Sequence, residues 1–140
     1  MPERTAEATW QGKLQSGNGT VKIGSAFEGQ YSFDSRFQQG KGTNPEDFIA
    51  AAHSSCFSMA LAHGLEEAGY EPKRVHTVAH VSIDKAGDGF KITKINLETE
   101  ASVPGIDKEV FEEQAKTAKV NCPVSKALAG AEINLKAVLV

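Results

Sequence analysis

The chain has 140 residues, 40% of them hydrophobic and 24% charged, which is the size and composition of one globular domain. Its 15 Lys and Arg against 18 Asp and Glu give a formal net charge of −3, which argues against nucleic acid as a partner because that partner requires a basic face. The N-terminus (MPERTAE) lacks the apolar segment of a signal peptide, and polar residues interrupt every apolar stretch before about 20 residues. We therefore expect a cytoplasmic protein that crosses no membrane.

The N-terminal part has the pattern of β-strands. Residues 7–14 and 20–25 predict two strands joined by a Ser-Gly-Asn-Gly turn. Residues 31–37 alternate in character, which predicts a third strand with Arg36 on the face opposite the aromatic side chains. A glycine-rich segment from Gly40 ends this strand.

A long helix follows. Asn44 is a good N-cap, Pro45 suits the first helical position, Glu46 and Asp47 complement the positive end of the helix dipole, and Gly69 is a plausible C′ residue. The helix would have about 24 residues and a length of roughly 36 Å, and its middle is apolar or small on nearly all sides. Such a helix is buried all round, in a core or against a second copy of itself. A 140-residue monomer has little material to enclose it, so we expect a homodimer.

The second half combines a hairpin with helices. Residues 74–84 have one apolar and one polar face, and a Gly-Asp-Gly turn leads to a second long strand over 90–103, so an antiparallel hairpin with one solvated face is predicted. Helices are expected over about 108–119 and 123–129, with a closing strand over 132–139. The order β-β-β-α-β-β-α-β predicts an α+β fold in which the long helix packs on antiparallel sheet.

Cys56 lies three turns into the long helix. Taken alone it has the character of a small core residue, because burial raises the pKa of a thiol and makes it inert. The helix dipole does not reach it, since that effect fades within the first turn. A reactive Cys56 therefore needs a cation from elsewhere.

Cys122 precedes Pro123, at or near the N-cap of the last helix. Free N–H groups at such a position lower the pKa of a thiol; a Cys-Pro pair that only ends a helix is an equal alternative. The chain has only these two cysteines and no CxxC motif, so a thioredoxin-like site is not indicated. In the cytoplasm a permanent disulfide is not expected, and the pair favours redox chemistry over two inert residues.

Arg36 is the candidate cation. An arginine beside a thiolate stabilises the anion and can bind the oxygens of a peroxide through its fork of donors; an exposed arginine without a role is the alternative. Glu46 could orient Arg36 in a bidentate pair, or be an ordinary acid in a first helical turn. Ten residues separate Glu46 from Cys56, about 15 Å along a straight helix, so the pair would serve Cys56 best across a dimer interface.

The four histidines give a weak metal signal. His53 stands three residues before Cys56, so a Cys-His pair is conceivable, but a core histidine is the interpretation we favour. His76 and His80 share the polar face of a strand. Neither HExxH nor CxxC occurs, and the glycines near residue 40 form no phosphate-binding loop, so we expect neither a metal nor another cofactor.

Three segments make the sequence recognisable: FDSRFQQGKGTNPEDFIAAAHSSCFSMAL (33–61), VPGID (103–107) and NCPVSKAL (121–128). They resemble the osmotically inducible protein C family, the OsmC/Ohr peroxiredoxins, over nearly the whole chain, and the OsmC branch most closely. The resemblance implies a single OsmC-like domain over 1–140, an intertwined homodimer with active sites at the subunit interface, and reduction of organic hydroperoxides and, more weakly, hydrogen peroxide to alcohols.

By position, the resemblance implies that Cys56 is the peroxidatic thiol, Cys122 the resolving thiol, Arg36 the group that activates the thiolate, and Glu46 the group that orients Arg36. Cys56 would be oxidised to a sulfenic acid, Cys122 would condense with it to a disulfide, and an external dithiol, such as a lipoyl group, or a small thiol would restore the enzyme. Bulky apolar peroxides would be favoured by three apolar neighbours: Phe48, Phe57 and Met59.

Two interpretations from other classes stay open. The chain could be a dimer that binds a hydrophobic ligand and has structural cysteines, which a fast burst of peroxide consumption per thiol would exclude. It could also be a redox sensor that only reports peroxide, which steady turnover with a dithiol would exclude.

Overall fold

In the computed structural model, which describes residues 1–140, the chain divides into two units, Met1–Phe48 and Ile49–Val140. Each unit has its own three-stranded sheet. In the first, strands β1 (Glu7–Gln11), β2 (Asn18–Ile23) and β3 (Phe27–Tyr31) pair antiparallel in chain order. The predicted N-terminal hairpin is confirmed, but its turn lies over residues 12–17, because Asn18 and Gly19 of the expected turn pair within β2.

The prediction of a strand over 31–37 is wrong. Strand β3 ends at Tyr31, and residues Phe33–Phe37 form a short helix, α1. Ser32 caps it: the Ser35 N–H donates to Ser32 Oγ at 3.0 Å, and the Ser32 N–H donates to Ser35 Oγ at 2.8 Å. This reciprocal capping satisfies two backbone donors that alternation alone does not reveal, and it outweighs the strand pattern. The side chain of Arg36 is therefore carried by a helix.

Helix α2 (Pro45–Glu67) begins and ends where the sequence predicts. The Asn44 Oδ1 atom accepts a hydrogen bond from the Asp47 N–H at 2.8 Å, and Gly69 adopts the left-handed conformation with φ +93° just after the helix. Asn44 thus satisfies one of the free donors of the first turn, and glycine provides the backbone conformation that other residues avoid.

Within one chain, α2 is buried along a single stripe. The stripe repeats every fourth residue: His53, Phe57, Leu61 and Leu65. The side opposite is open, and Met59 on it is 75% exposed. One chain therefore does not bury α2 on all sides, as the sequence led us to expect.

By length and composition α2 is long and apolar enough to cross a membrane, a criterion that the core helices of globular proteins also meet.

The second unit contains the sheet of strands β4 (Arg74–Ala86), β5 (Gly89–Ser102) and β6 (Glu132–Leu139). Strands β4 and β5 form the predicted antiparallel hairpin, with Gly87 at φ +61° in its turn. Val75 and Ala79 are half-buried, whereas the histidines of the other face are exposed, as the alternation indicates.

Strand β6 runs parallel to β5, which corrects the expectation of a purely antiparallel sheet. Helices α3 (Lys108–Asn121) and α4 (Pro123–Ala127) form the crossover that brings β6 back in the same direction. A parallel neighbour requires a connection of this length, whereas a tight turn would have made the pair antiparallel. The α+β class itself is as predicted.

The core of the second unit lies between α2, the sheet and α3. Its fully buried side chains come from all three: Phe57, Leu61, Leu65, Ile95, Leu97, Ala101, Phe111 and Ala115. Removal of these apolar groups from water is the main contribution to folding of this unit. Cys122 belongs to the same buried cluster, and Cys56 packs against it, so the core holds the site described next.

Candidate active site

Cys56 and Cys122 meet at the junction of α2, α3 and α4. Their Sγ atoms lie 2.9 Å apart, and both cysteines are free. A disulfide would require a separation of about 2.05 Å, so this is the reduced, hydrogen-bonded pair. Two residues that are 66 positions apart in the chain are thereby placed in direct contact, as the resemblance implies.

The position of Cys122 follows from the proline after it. Pro123 disfavours the helical conformation in the residue before it, and Cys122 has φ −54° and ψ 122°, outside the helical region. Helix α3 ends here and α4 begins with Pro123 as its first residue. This change of direction points the Cys122 sulfur back toward α2.

The two thiols differ in access. Cys122 is 0% exposed, whereas Cys56 is half-buried and borders an open pocket of ≈ 540 Å³. The other residues that line this pocket come from α2 and α4: Ala52, Ser55, Met59, Ala60, Pro123 and Val124. A small molecule that enters the pocket therefore meets Cys56 and not Cys122.

Burial raises the pKa of the Cys56 thiol, and the adjacent Cys122 thiol raises it further, while a hydrogen bond from the backbone of Val124 acts in the opposite direction. Within Ile49–Val140 no cation offsets the burial. Cys56 is thus the accessible thiol but is not by itself ionised, which agrees with the need for a cation inferred from the sequence.

For Cys122, burial opposes ionisation, but hydrogen bonds from Cys56, from the N–H and hydroxyl of Ser125 and from the Val124 N–H together lower its pKa. This is the effect of free backbone donors that the Cys-Pro sequence predicts. The proton in the hydrogen bond between the thiols can reside on either sulfur, because a thiol hydrogen rotates freely. The backbone donors are fixed, and in this chain they favour ionisation of Cys122 first.

His53 is a core histidine, as predicted, and is 0% exposed. Its Nε2 atom lies 2.7 Å from Ser125 Oγ, and its Nδ1 atom is buried without a hydrogen-bond partner. Burial lowers the pKa of His53, so the ring is neutral at neutral pH. The sequence interpretation did not include Ser125; its position three residues after Cys122, in the first turn of α4, was the available signal.

Arg36 and Glu46 form the bidentate pair that the sequence suggested. The Arg36 Nη2 atom donates to Glu46 Oε1 at 2.8 Å, and Nε lies 3.1 and 3.2 Å from Oε1 and Oε2. Glu46 is 8% exposed, whereas the Arg36 side chain is 36% exposed. Glu46 occupies one edge of the guanidinium, so Nη1 remains for another ligand.

Arg36 also borders an apolar pocket of ≈ 200 Å³ in the first unit. The pocket is lined mainly by large apolar side chains: Trp10, Leu14, Tyr31, Phe33, Phe37 and Pro45. The rings of Trp10 and Tyr31 pack against each other with their centroids 5.4 Å apart. A guanidinium at the edge of an apolar pocket suits a ligand with one oxygen-rich end and a hydrocarbon body.

The apolar neighbours named from the sequence differ in their placement. The prediction that Phe57 contacts substrate is wrong, because its side chain is 0% exposed and packs in the core as part of the buried stripe of α2. Met59 lines the pocket beside Cys56. Phe48 packs edge-on against Phe27, with ring centroids 5.7 Å apart.

The exposed histidines of β4 are not grouped as metal ligands. The structure contains no cluster of three or more His, Cys, Asp or Glu side chains that could hold a metal ion. His80 lies 3.7 Å from Glu98 across the hairpin, an exposed pair at the surface.

Comparison with known proteins agrees with this arrangement. A family model described as "OsmC-like protein" matches residues 38–137. The chain belongs to the OsmC-like protein family. It is 48% identical to Peroxiredoxin OsmC of Escherichia coli (strain K12) over 134 residues, which are 94% of this chain and 93% of that protein. A relationship this close over nearly the whole chain places it in the OsmC branch and makes it a peroxiredoxin-type enzyme.

More distant members of the family are also similar. The organic hydroperoxide resistance protein OhrB of Bacillus subtilis (strain 168) is 32% identical over 90 residues, 64% of each chain. The crystal structure of the same Bacillus subtilis protein superposes with a TM-score of 0.71 at 27% identity, over 95% of this chain and 97% of that one. An OsmC-like protein from Mycoplasma pneumoniae has a TM-score of 0.76 at 18% identity over 99% and 98% of the two chains, which supports the fold alone.

Proposed function

We propose that this enzyme reduces organic hydroperoxides, and hydrogen peroxide more weakly, through a cycle of Cys56 thiolate, Cys56 sulfenic acid and Cys56–Cys122 disulfide. The observation that carries the proposal is the 2.9 Å thiol pair, in which one sulfur opens onto a pocket and the other is enclosed behind it. An accessible thiol with a second thiol in reach is the arrangement that a two-cysteine peroxidase requires.

In the first step the Cys56 thiolate attacks the terminal oxygen of the hydroperoxide. An S–O bond forms, the O–O bond breaks, and the alkoxide takes a proton and leaves as the alcohol. In the second step Cys122 attacks Cys56 Sγ, the S–S bond forms, the S–O bond breaks, and water leaves. An external dithiol, such as a lipoyl group, or a small thiol then reduces the disulfide and completes the cycle.

Arg36 is proposed to ionise Cys56 and to bind the peroxide oxygens, with Glu46 holding its guanidinium in place. Two observations support this role: burial raises the pKa of Cys56 with no cation in its own unit to offset it, and Glu46 leaves one edge of Arg36 unoccupied. Ten residues of α2, about 15 Å, separate Glu46 from Cys56, so we place Arg36 beside the Cys56 of a second subunit.

An intertwined homodimer is therefore part of the proposal. The open side of α2 supports it, because Met59 is 75% exposed there beside a pocket that Ala52 and Ala60 also line, and an exposed apolar patch often marks an interface. The apolar pocket beside Arg36, together with Met59 beside Cys56, supports a substrate preference for peroxides with a bulky apolar body.

A single domain over 1–140 stays a prediction, supported by a family match that runs across the boundary at Phe48. The cytoplasmic location also stays a prediction.

Stopped-flow measurement of peroxide consumption tests the proposal. With cumene hydroperoxide and a dithiol, the protein should show many turnovers per Cys56, and the rate with hydrogen peroxide should be lower. Consumption of a single equivalent that stops despite the dithiol would indicate a sensor. Failure to consume peroxide at all would indicate structural cysteines and a ligand-binding role.

A further inference from the structure

The buried pair His53 and Ser125 has no part in the cycle described above, although it lies next to the cysteines. His53 Nε2 and Ser125 Oγ are 2.7 Å apart, although the two residues are 72 positions apart in the chain. This contact joins α2 to the first turn of α4, which starts at the residue after Cys122. Both side chains are buried, His53 completely.

The direction of the hydrogen bonds follows from the number of protons available. Ser125 stands three residues after Cys122, in the first turn of α4. Hydrogen bonds from its N–H and its hydroxyl lower the pKa of Cys122. A hydroxyl has one proton, and once it is donated to sulfur, its oxygen must accept from His53. This pattern assigns the Nε2–H tautomer to His53.

The unpaired Nδ1 atom of His53 agrees with this direction. In the Nε2–H tautomer Nδ1 is an acceptor without a proton, and a buried acceptor without a partner is tolerated better than a buried N–H without one. In the opposite tautomer, Nδ1–H would be an unpaired donor in the core. The Ser125 hydroxyl would then donate to Nε2 of His53 and would not be available to Cys122. One direction thus satisfies His53, Ser125 and Cys122 together.

We propose that His53 and Ser125 form a donor chain to Cys122, which stabilises its thiolate and aims the sulfur at Cys56 for disulfide closure. The catalytic consequence of this inference rests on the proposed function. His53 is a positioning residue, since it acts through Ser125 and does not touch the reacting atoms.

In the step concerned, the Cys122 thiolate attacks Cys56 Sγ in the sulfenic acid. The S–S bond forms, the S–O bond breaks with its electron pair on oxygen, and the departing hydroxide takes a proton from solvent in the pocket to give water. Neither His53 nor Ser125 changes its protonation state. Their donated hydrogen bonds hold the charge on sulfur before the attack.

Few ionisable groups face Cys122. Cys56 contacts it from α2, and the neutral His53 acts on it through Ser125. The lysines of the adjoining helices are directed elsewhere: Lys119 Nζ lies 3.5 Å from the carbonyl of Ile133, and Lys126 is exposed. The titration of Cys122 in the absence of Cys56 should therefore report the donor chain.

The first test uses Cys56→Ser protein, in which Cys122 is the only thiol, and follows thiolate ultraviolet absorbance against pH. Adding Ser125→Ala or His53→Leu should leave about tenfold less thiolate at neutral pH, because one hydrogen bond to a charged sulfur is lost or weakened. His53→Gln, whose amide can still donate to Ser125, should restore most of it. The matched control is Ser58→Ala, which removes a half-buried hydroxyl of α2 that donates to Thr77 of β4.

This measurement needs no peroxide, so its outcome is independent of the proposed function. Unchanged titration in both Ser125→Ala and His53→Leu would overturn the donor chain even if the enzyme is a peroxidase.

The second test follows one turnover in the two-cysteine protein by acid quenching and mass spectrometry. In Ser125→Ala, sulfenic acid formation at Cys56 should keep its rate, while disulfide closure should slow about tenfold at neutral pH and recover as the pH rises. Slowing that is equal at every pH would show a purely structural effect and overturn the proposal.

Discussion

The guanidinium of Arg36 is held by the carboxylate of Glu46 through both Nε and Nη2, with Nη2 2.8 Å from Oε1. Glu46 is nearly buried in the first turn of α2, whereas Arg36 on α1 is partly open to solvent. The contact thus fixes the orientation of a cation and leaves its far edge for a ligand. Bidentate pairs of this kind provide geometry as well as charge.

Replacement of Glu46 by Gln should slow Cys56 oxidation about tenfold, because a neutral amide cannot hold both donors of Arg36 in this way. Asp47→Asn is the matched control: it removes an equal charge from the same turn of α2 at an exposed position. Stopped-flow oxidation at several peroxide concentrations checks this. Equal effects of the two substitutions would mean that Glu46 acts only through general charge.

The two cysteines should differ in the step that they support. Cys56→Ser should abolish peroxide consumption, because it removes the thiol that opens onto the pocket. Cys122→Ser should still consume one equivalent and leave Cys56 as a sulfenic or further oxidised acid, since no second thiol can condense with it. Trapping with a sulfenic-acid reagent and mass spectrometry distinguish the variants. If single-turnover consumption is lost equally in both, the assignment of roles is wrong.

His53 should make the fold sensitive to acid. Burial lowers its pKa in the folded state, so the unfolded chain binds this proton more readily. Stability is then fully present above the unfolded pKa of about 6.5 and is lost as the pH falls below it, by at most about 1.4 kcal/mol per pH unit for this one group. Urea unfolding at neutral and mildly acid pH measures the loss.

The variant His53→Gln should show less of this acid-induced loss than wild type, whatever its stability at neutral pH. His63→Gln serves as the control, because His63 is exposed on the same helix. An unchanged pH dependence in His53→Gln would show that His53 does not titrate on unfolding.

The helix ends could largely be predicted because their signals are local. The cap at Asn44, the glycine at 69 and the Cys-Pro break each determine a helix end within a few residues. The parallel β6 could not be predicted from such signals, since its partner is chosen by packing of the whole crossover.

In the candidate site, too, contacts between distant residues could not be predicted from local signals. The alternation of the seven residues 31–37 predicts a strand at Arg36, and the reciprocal hydrogen bonds of Ser32 and Ser35 favour a helix instead. The contact between His53 and Ser125 joins residues that are 72 positions apart, and no periodicity relates them. The resemblance paired Cys56 with Cys122, a contact that spacing alone leaves open.

The open face of α2 should be an interface between two copies of the chain. Met59 is 75% exposed in one chain, and Met59→Glu should weaken dimerisation because it would bury a charge there. Met59→Leu, which keeps the apolar volume, is the control. We expect a wild-type dimer that buries well over ~2,000 Å² by sedimentation and crystallography. A wild-type monomer at micromolar concentration would contradict this prediction.

A mixture of two inactive chains tests whether Arg36 acts across that interface. If each site takes Arg36 from one chain and Cys56 from the other, a mixed dimer of Arg36→Ala with Cys56→Ser has two different sites. One site carries both substitutions, and the other has native Arg36 and native Cys56. With random pairing, about a quarter of wild-type activity should return, because half of the dimers are mixed and each has one working site. The two chains carry different tags, so that mixed dimers can be isolated, and a mixture of Arg36→Ala with a Cys56→Ser/Arg36→Ala chain is the control that should stay inactive. If isolated mixed dimers remain as slow as the parent variants, Arg36 and Cys56 of the same chain form the site, and Arg36 must reach Cys56 by a route within one subunit.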